Sequence, residues 1–116
     1  MINELIETIF KNFTVDGVSI PVKFLRYNGN KDTYITYMQI DADNALTADD
    51  RLINYVEYYD FDIYSKGDYT SIIQAVKTKL EENGFMWQPG KSSPDRFEDD
   101  TKFYHKTLNF AIERSN

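Results

Sequence analysis

The chain has 116 residues, 41% hydrophobic, 16% aromatic and 28% charged, with 19 acidic against 13 basic side chains and a formal charge of −6. That length suits a single domain that buries a core without disulfide or metal staples. The absence of cysteine removes disulfides, cysteine-ligated zinc and thiol nucleophiles. The acidic balance is the reverse of what phosphate neutralisation asks of a free-standing duplex-DNA binder. No apolar run approaches the ~20 residues of a membrane span. The start, Met1-Ile2-Asn3-Glu4, lacks the basic and apolar stretches of a secretory signal.

Leu5, Ile6, Ile9, Phe10 and Phe13 recur at helical spacing and predict a first helix over residues 3–13. Asn3 is its expected N-cap, with Glu4 and Glu7 near the positive end of the dipole. Asp16-Gly17 marks the following turn. Residues 19–27 alternate, with Ile20, Val22 and Phe24 on one face and Pro21 near the start. Asn28-Gly29-Asn30 predicts a tight hairpin to a second strand over residues 32–40, rich in Thr, Tyr and Ile. A third strand spans residues 52–64. Ile53, Tyr55, Tyr59, Phe61 and Ile63 form one side, and Asn54, Val56, Tyr58, Asp60, Asp62 and Tyr64 the wetter other. Between these strands, residues 41–51 hold Asp41, Asp43, Asp49 and Asp50 and read as an exposed, mobile loop.

Asp68 is the expected cap of a second helix that ends near Asn83, with Tyr69, Ile72, Ile73, Val76 and Leu80 as its buried stripe and Gly84 as its C′ residue. Residues 85–88 form a short strand candidate and residues 89–94 a loop. Residues 102–114 form the last strand, with Tyr104, Leu108, Phe110 and Ile112 on one face. The order is α-β-β-β-α-β-β in a single domain covering residues 1–116, without repeats or linkers.

Motifs for chemistry are weak. Asp41, Asp43 and Ala45 start like an EF-hand loop, but Leu46 stands where glycine is needed and Leu52 where the bidentate glutamate is needed. Asp60 and Asp62 share a strand face, which an exposed sheet surface explains as well as a magnesium site does. Pro94-Asp95 with Asp100-Thr101-Lys102 partly matches a metal-dependent nuclease pattern, but the halves fall within one turn. His105 is the single histidine, so no multi-histidine metal centre or histidine pair forms. Nothing around the serines has a nucleophile-elbow pattern, and there is no Walker loop or dinucleotide fingerprint. The tyrosines at 55, 58, 59, 64 and 69 stand among Glu57, Asp60, Asp62 and Asp68, which repel phosphates. They suit a protein interface better than base stacking.

The run Pro94-Asp95-Arg96-Phe97-Glu98-Asp99-Asp100-Thr101-Lys102-Phe103-Tyr104-His105-Lys106 follows a helix ending in Asn-Gly-Phe and a Pro-Gly loop. With Ile20-Pro21-Val22-Lys23-Phe24, Thr33-Tyr34-Ile35-Thr36-Tyr37 and residues 56–69, it resembles the tail terminator proteins of phages and prophages of Gram-positive bacteria, also described as tail completion or head–tail joining proteins. The resemblance covers nearly the whole chain through structural rather than catalytic motifs. It implies an α+β subunit with a mostly antiparallel sheet and helices packed on one face. It implies a homo-hexameric ring that caps the tail tube, meets the head connector or head-closure protein, and lets DNA pass through its lumen. It implies no enzyme activity, no cofactor and no catalytic residue. The protein would then sit in the virion tail or neck, and in the bacterial host cytoplasm during assembly, without binding membrane or specific nucleic acid. The expected interface residues are Asp41, Asp43, Asp49, Asp50, Tyr55, Tyr58, Tyr64, Arg96, Glu98 and Lys102, on the acidic loop, the edge of the Tyr55–Tyr69 segment and the loop over residues 89–100. Two alternatives stand beside this reading. One is another neck or tail component of the same topology; the other is a small acidic module that binds a bacterial protein in regulation or host takeover. A metal-dependent nuclease is the weakest alternative.

Overall fold

The computed structural model describes residues 2–48 and 51–115. In chain order its elements are α1 (Ile2–Ile9), β1 (Thr14–Val15), β2 (Val18–Ser19), β3 (Val22–Phe24), β4 (Thr33–Ala48) and β5 (Arg51–Ser65). They continue with α2 (Thr70–Glu82), β6 (Met86–Trp87), a 3₁₀ turn (Pro89–Lys91), β7 (Arg96–Glu98) and β8 (Phe103–Ser115). β1 and β2 form a small antiparallel ribbon. The main sheet runs β3-β4-β5-β8-β6, with β7 also pairing β8. All its pairings are antiparallel except β3 with β4. The fold is α+β, as expected.

One sheet face carries the core because side chains alternate along each strand. Ile35 and Tyr37 from β4, Tyr59, Phe61 and Ile63 from β5, and Leu108, Phe110 and Ile112 from β8 are all buried. Ile2 and Ile6 of α1 and Ile72, Val76 and Leu80 of α2 join the same cluster, so both helices cover this face. Phe61 sits at its centre, with ring centroids 5.7 Å from Tyr37 and Phe110, 6.0 Å from Phe10 and 6.5 Å from Phe85.

Several expectations change. The predicted mobile loop over residues 41–51 is instead the distal part of the β4–β5 hairpin, paired out to Ala48↔Arg51. Bulges at Gln39/Asp41, Asn44/Leu46 and Leu46/Thr47 break the two-residue rhythm and hide the strands from a periodicity reading. Asp49 and Asp50 lie outside the described residues. The expected edge at Tyr55–Tyr69 is also wrong. β5 lies between β4 and β8, so its backbone is paired on both sides and only its faces are free.

The Asn28-Gly29-Asn30 turn does not make a hairpin either, since Val22↔Ile35 through Phe24↔Tyr37 run parallel. Leu25 takes a left-handed φ of 67° and starts a crossing loop. In that loop the Lys31 N–H donates to the Tyr27 hydroxyl at 3.1 Å. The Tyr27 ring stacks on Tyr34 at 4.7 Å. Gly29 is what leaves room, because a Cβ there would stand 2.0 Å from the Tyr27 hydroxyl oxygen. Gly29→Ala is expected to displace that ring and cost about 1 kcal/mol in urea denaturation, the worth of a lost aromatic pair.

Helix termini shift as well. Asn3 lies inside α1 rather than capping it, and the helix stops at Ile9. Asn12, at φ 56°, turns the chain so that Phe10 and Phe13 still reach the core. Tyr69, not Asp68, holds the N-cap position of α2. Asp68 nevertheless accepts the Thr70 N–H at 3.0 Å and the Thr70 hydroxyl at 2.8 Å, so it supplies the capping carboxylate from one residue earlier. Gly84 is left-handed at φ 89°, as a C′ residue should be.

Candidate interaction surfaces

The second face of the sheet is polar. β5 presents Asp60, Asp62 and Tyr64 on it, and the register sets Asn109, Thr107 and His105 of β8 directly opposite. Thr107 Oγ1 donates to Asp62 at 2.5 Å and accepts from the Arg96 guanidinium at 3.0 Å. His105 bridges two carboxylates, Asp62 at 3.1 Å through Nε2 and Glu98 at 3.5 Å through Nδ1. Asn109 is fully buried and donates its amide to Asp60 at 2.8 Å. The edge of β8 is held in turn by the Ser92 and Ser93 hydroxyls, which accept the N–H groups of Asn109 and Thr107 at 3.0 and 2.8 Å.

This wiring is that of a clamp. The Thr107 proton points to a carboxylate, not to the imidazole, so hydroxyl and base do not form the line that activates a nucleophile. The clamp ties β7 and the loop before it onto β8. An aromatic row extends from it: His105 stacks on Tyr64 at 4.2 Å and Tyr64 on Tyr34 at 4.7 Å. Burial first, then the Asp62 charge, pushes the Tyr64 hydroxyl up to about 12.

Burial likewise raises the Asp60 carboxyl above its ordinary value, with Asp62 adding to the rise and Asn109 and Lys91 opposing it. A carboxyl raised in the folded state disfavours folding when ionised, and that penalty fades as pH falls through the folded-state value. Asp60→Asn keeps an acceptor oxygen for Asn109. It is expected to raise the melting temperature at pH 7, with the gain shrinking toward zero in acid; a difference independent of pH would contradict this.

Of the expected interface residues, Tyr64, Arg96 and Glu98 meet around His105 and Thr107. Tyr58 lies on the same face, with the Lys91 ammonium 4.3 Å from its ring centre. Lys102 is exposed in the β7–β8 turn at φ 66°, and its N–H donates to the Glu98 carbonyl at 2.8 Å. Asp41, Asp43 and Tyr55 lie apart from this group, on the distal hairpin, where both aspartates are exposed and Tyr55 is half-buried. Asp95 and Lys102 of the nuclease-like pattern do not converge. Asp95 accepts from the Tyr69 hydroxyl and from Lys106, which hold its carboxyl below the usual range. No three acidic or histidine side chains gather into a metal-binding group among the described residues. Nor does any helix there have the length and apolarity to cross a membrane. Thr107 and Asn109 were missed from sequence, since only the strand register shows them facing Asp62 and Asp60.

The distal hairpin is the second surface. β3 ends opposite Tyr37, so β4 from Met38 onward has no strand on its outer side among the described residues. Met38, Gln39, Ile40, Asp41, Ala42 and Asp43 are all exposed. On the inner side β5 continues, and β8 backs it as far as Asn54↔Ser115, with Arg114 paired to Glu57 at 3.0 Å. Strands of 16 and 15 residues at about 3.4 Å per residue span roughly 50 Å. The molecule accordingly measures 52 × 27 × 24 Å. No protein-family model matches the sequence, and no curated protein matches it.

Proposed function

We propose that this chain is a structural subunit of a phage tail or neck, which caps the tail tube and joins it to the head as a ring. The observation that carries this reading is the hairpin arm. Among the described residues, the buried apolar positions of β4 stop at Tyr37 and those of β5 begin at Tyr59, so the arm runs well beyond the core that the helices cover. Past Asn54↔Ser115 the arm narrows to two strands, and a two-stranded ribbon is marginal in water and gains by lying on another surface. An arm of that length reaches a neighbouring subunit or the tube below. The formal charge of −6 suits a conduit that DNA passes without sticking. The resemblance in residues 94–106 supplies the tail-terminator class.

The test is mass in solution by light scattering, with negative-stain images, alone and with tail tubes of the encoding phage. The reading expects rings with a central hole, formed freely or on tube ends. A monomer that leaves tube ends bare would overturn it. Lys102→Glu reverses an exposed charge outside the clamp, and it is expected to weaken ring formation severalfold without lowering the melting temperature. Arg96→Glu would also break the bond to Thr107, so it tests assembly less cleanly.

A further inference from the structure

The charges of this acidic chain are unevenly placed. Residues 11–31 hold four basic side chains, Lys11, Lys23, Arg26 and Lys31, against one acid, Asp16. Residues 41–50 hold four aspartates and no base. The basic stretch borders an open cleft of about 610 Å³ between the end of α1 and β3. Its walls include Phe10, Phe13 and Phe24, and Lys11 and Lys23 stand exposed along it, with Glu7 the one acid. Tyr37 also lines the cleft. It is 1% exposed, and its hydroxyl has no hydrogen-bond partner among the described residues. A buried donor left unpaired is costly, which marks the floor of the cleft as a polar weak point of the core.

We infer that the cleft receives the arm of a second copy, with Asp41 and Asp43 of one subunit set against Lys11 and Lys23 of the next. This rests on the ring reading above and names its contact. A subunit cannot fill its own cleft this way. Asp41 and Asp43 lie only four and six residues beyond Tyr37 on the same strand, and their pairing with Tyr58 and Val56 holds that strand extended. The complementary patches are different surfaces at different places on the subunit. Their association is therefore head-to-tail, the kind that closes into a ring when the rotation allows. Charge complementarity sets the register, and the exposed Phe24 ring supplies the apolar contact.

The cysteine-free chain makes the test clean. Two single-cysteine variants, Asp43→Cys and Lys23→Cys, are mixed at ring-forming concentration, with tail tubes present if rings need them, and treated with a short bis-maleimide. The expected result is a crosslinked dimer of the two variants, in clear excess over a control that pairs Asp43→Cys with Lys79→Cys on exposed α2. Equal yields would overturn the inference, as would capture of the Lys23→Cys position by the tube protein. Independently, Asp41→Lys with Asp43→Lys should weaken self-association roughly tenfold, and mixing with Lys11→Glu plus Lys23→Glu should restore assembly with the two variants alternating in equal number. Rings that form normally in both charge variants would sink the contact and leave the ring reading standing. Failure of the unaltered protein to assemble, even on tubes, would sink both.

Discussion

Replacing residues 43–56 by an Asn-Gly turn is expected to abolish ring assembly and tube capping while leaving a folded monomer. Ala42 and Glu57 are register partners across the hairpin, so a two-residue turn joins them in the strand-compatible type I′ geometry. None of the described side chains removed is in the buried core, and the Glu57–Arg114 pair is kept. Loss of a subunit's principal contact should weaken association on the order of a hundredfold, within what a cluster of central interface residues commands. Light scattering reads the assembly and thermal melting reads the fold. A shortened protein that still forms rings would remove the arm from the function. A shortened protein that no longer melts cooperatively would mean that the arm belongs to the folding unit instead.

Phe61→Ala carries the second large effect. The side chain is fully buried and its ring touches those of Phe10, Tyr37, Phe85 and Phe110. It joins the turn after α1, β4, β8 and the segment after α2. Truncation removes the buried area and leaves a cavity that four fixed rings close poorly, so a loss of about 3–5 kcal/mol is expected in urea denaturation. A loss near 1 kcal/mol would mean that the surrounding rings collapse into the gap.

The core was legible because it follows simple periods. Ile6 and Phe10, Ile72, Val76 and Leu80, and Tyr59, Phe61 and Ile63 repeat at helical or strand spacing, and all are buried where expected. The arm was not legible, for two physical reasons. Aspartate, asparagine and alanine are poor strand formers, and its bulges scramble the alternation. Pairing with β5 imposes the strand instead, an effect of the partner rather than of the local residues. The parallel β3–β4 pairing escaped because Asn-Gly reads as a hairpin, whereas here Gly29 makes room for the Tyr27 ring. The carboxylate pair of Asp60 and Asp62 was visible as a shared face, but its partners depended on the register of a strand some forty-five residues away.

The place of β8 has a consequence for the order of events during synthesis. Although β8 is the last of the described strands in chain order, it is not an edge; it lies inside the sheet, flanked by β5 on one side and by β6 and β7 on the other. It also supplies Leu108, Phe110 and Ile112 to the core. While it is still within the ribosome, β5 has one bare backbone edge and the core lacks Leu108, Phe110 and Ile112. Docking must then wait for a contact between distant parts of the chain, which is slow. The nascent protein passes through a stage in which an open strand and exposed rings invite pairing with other chains. Slower translation of β8 would lengthen that exposure, and yield should fall with it.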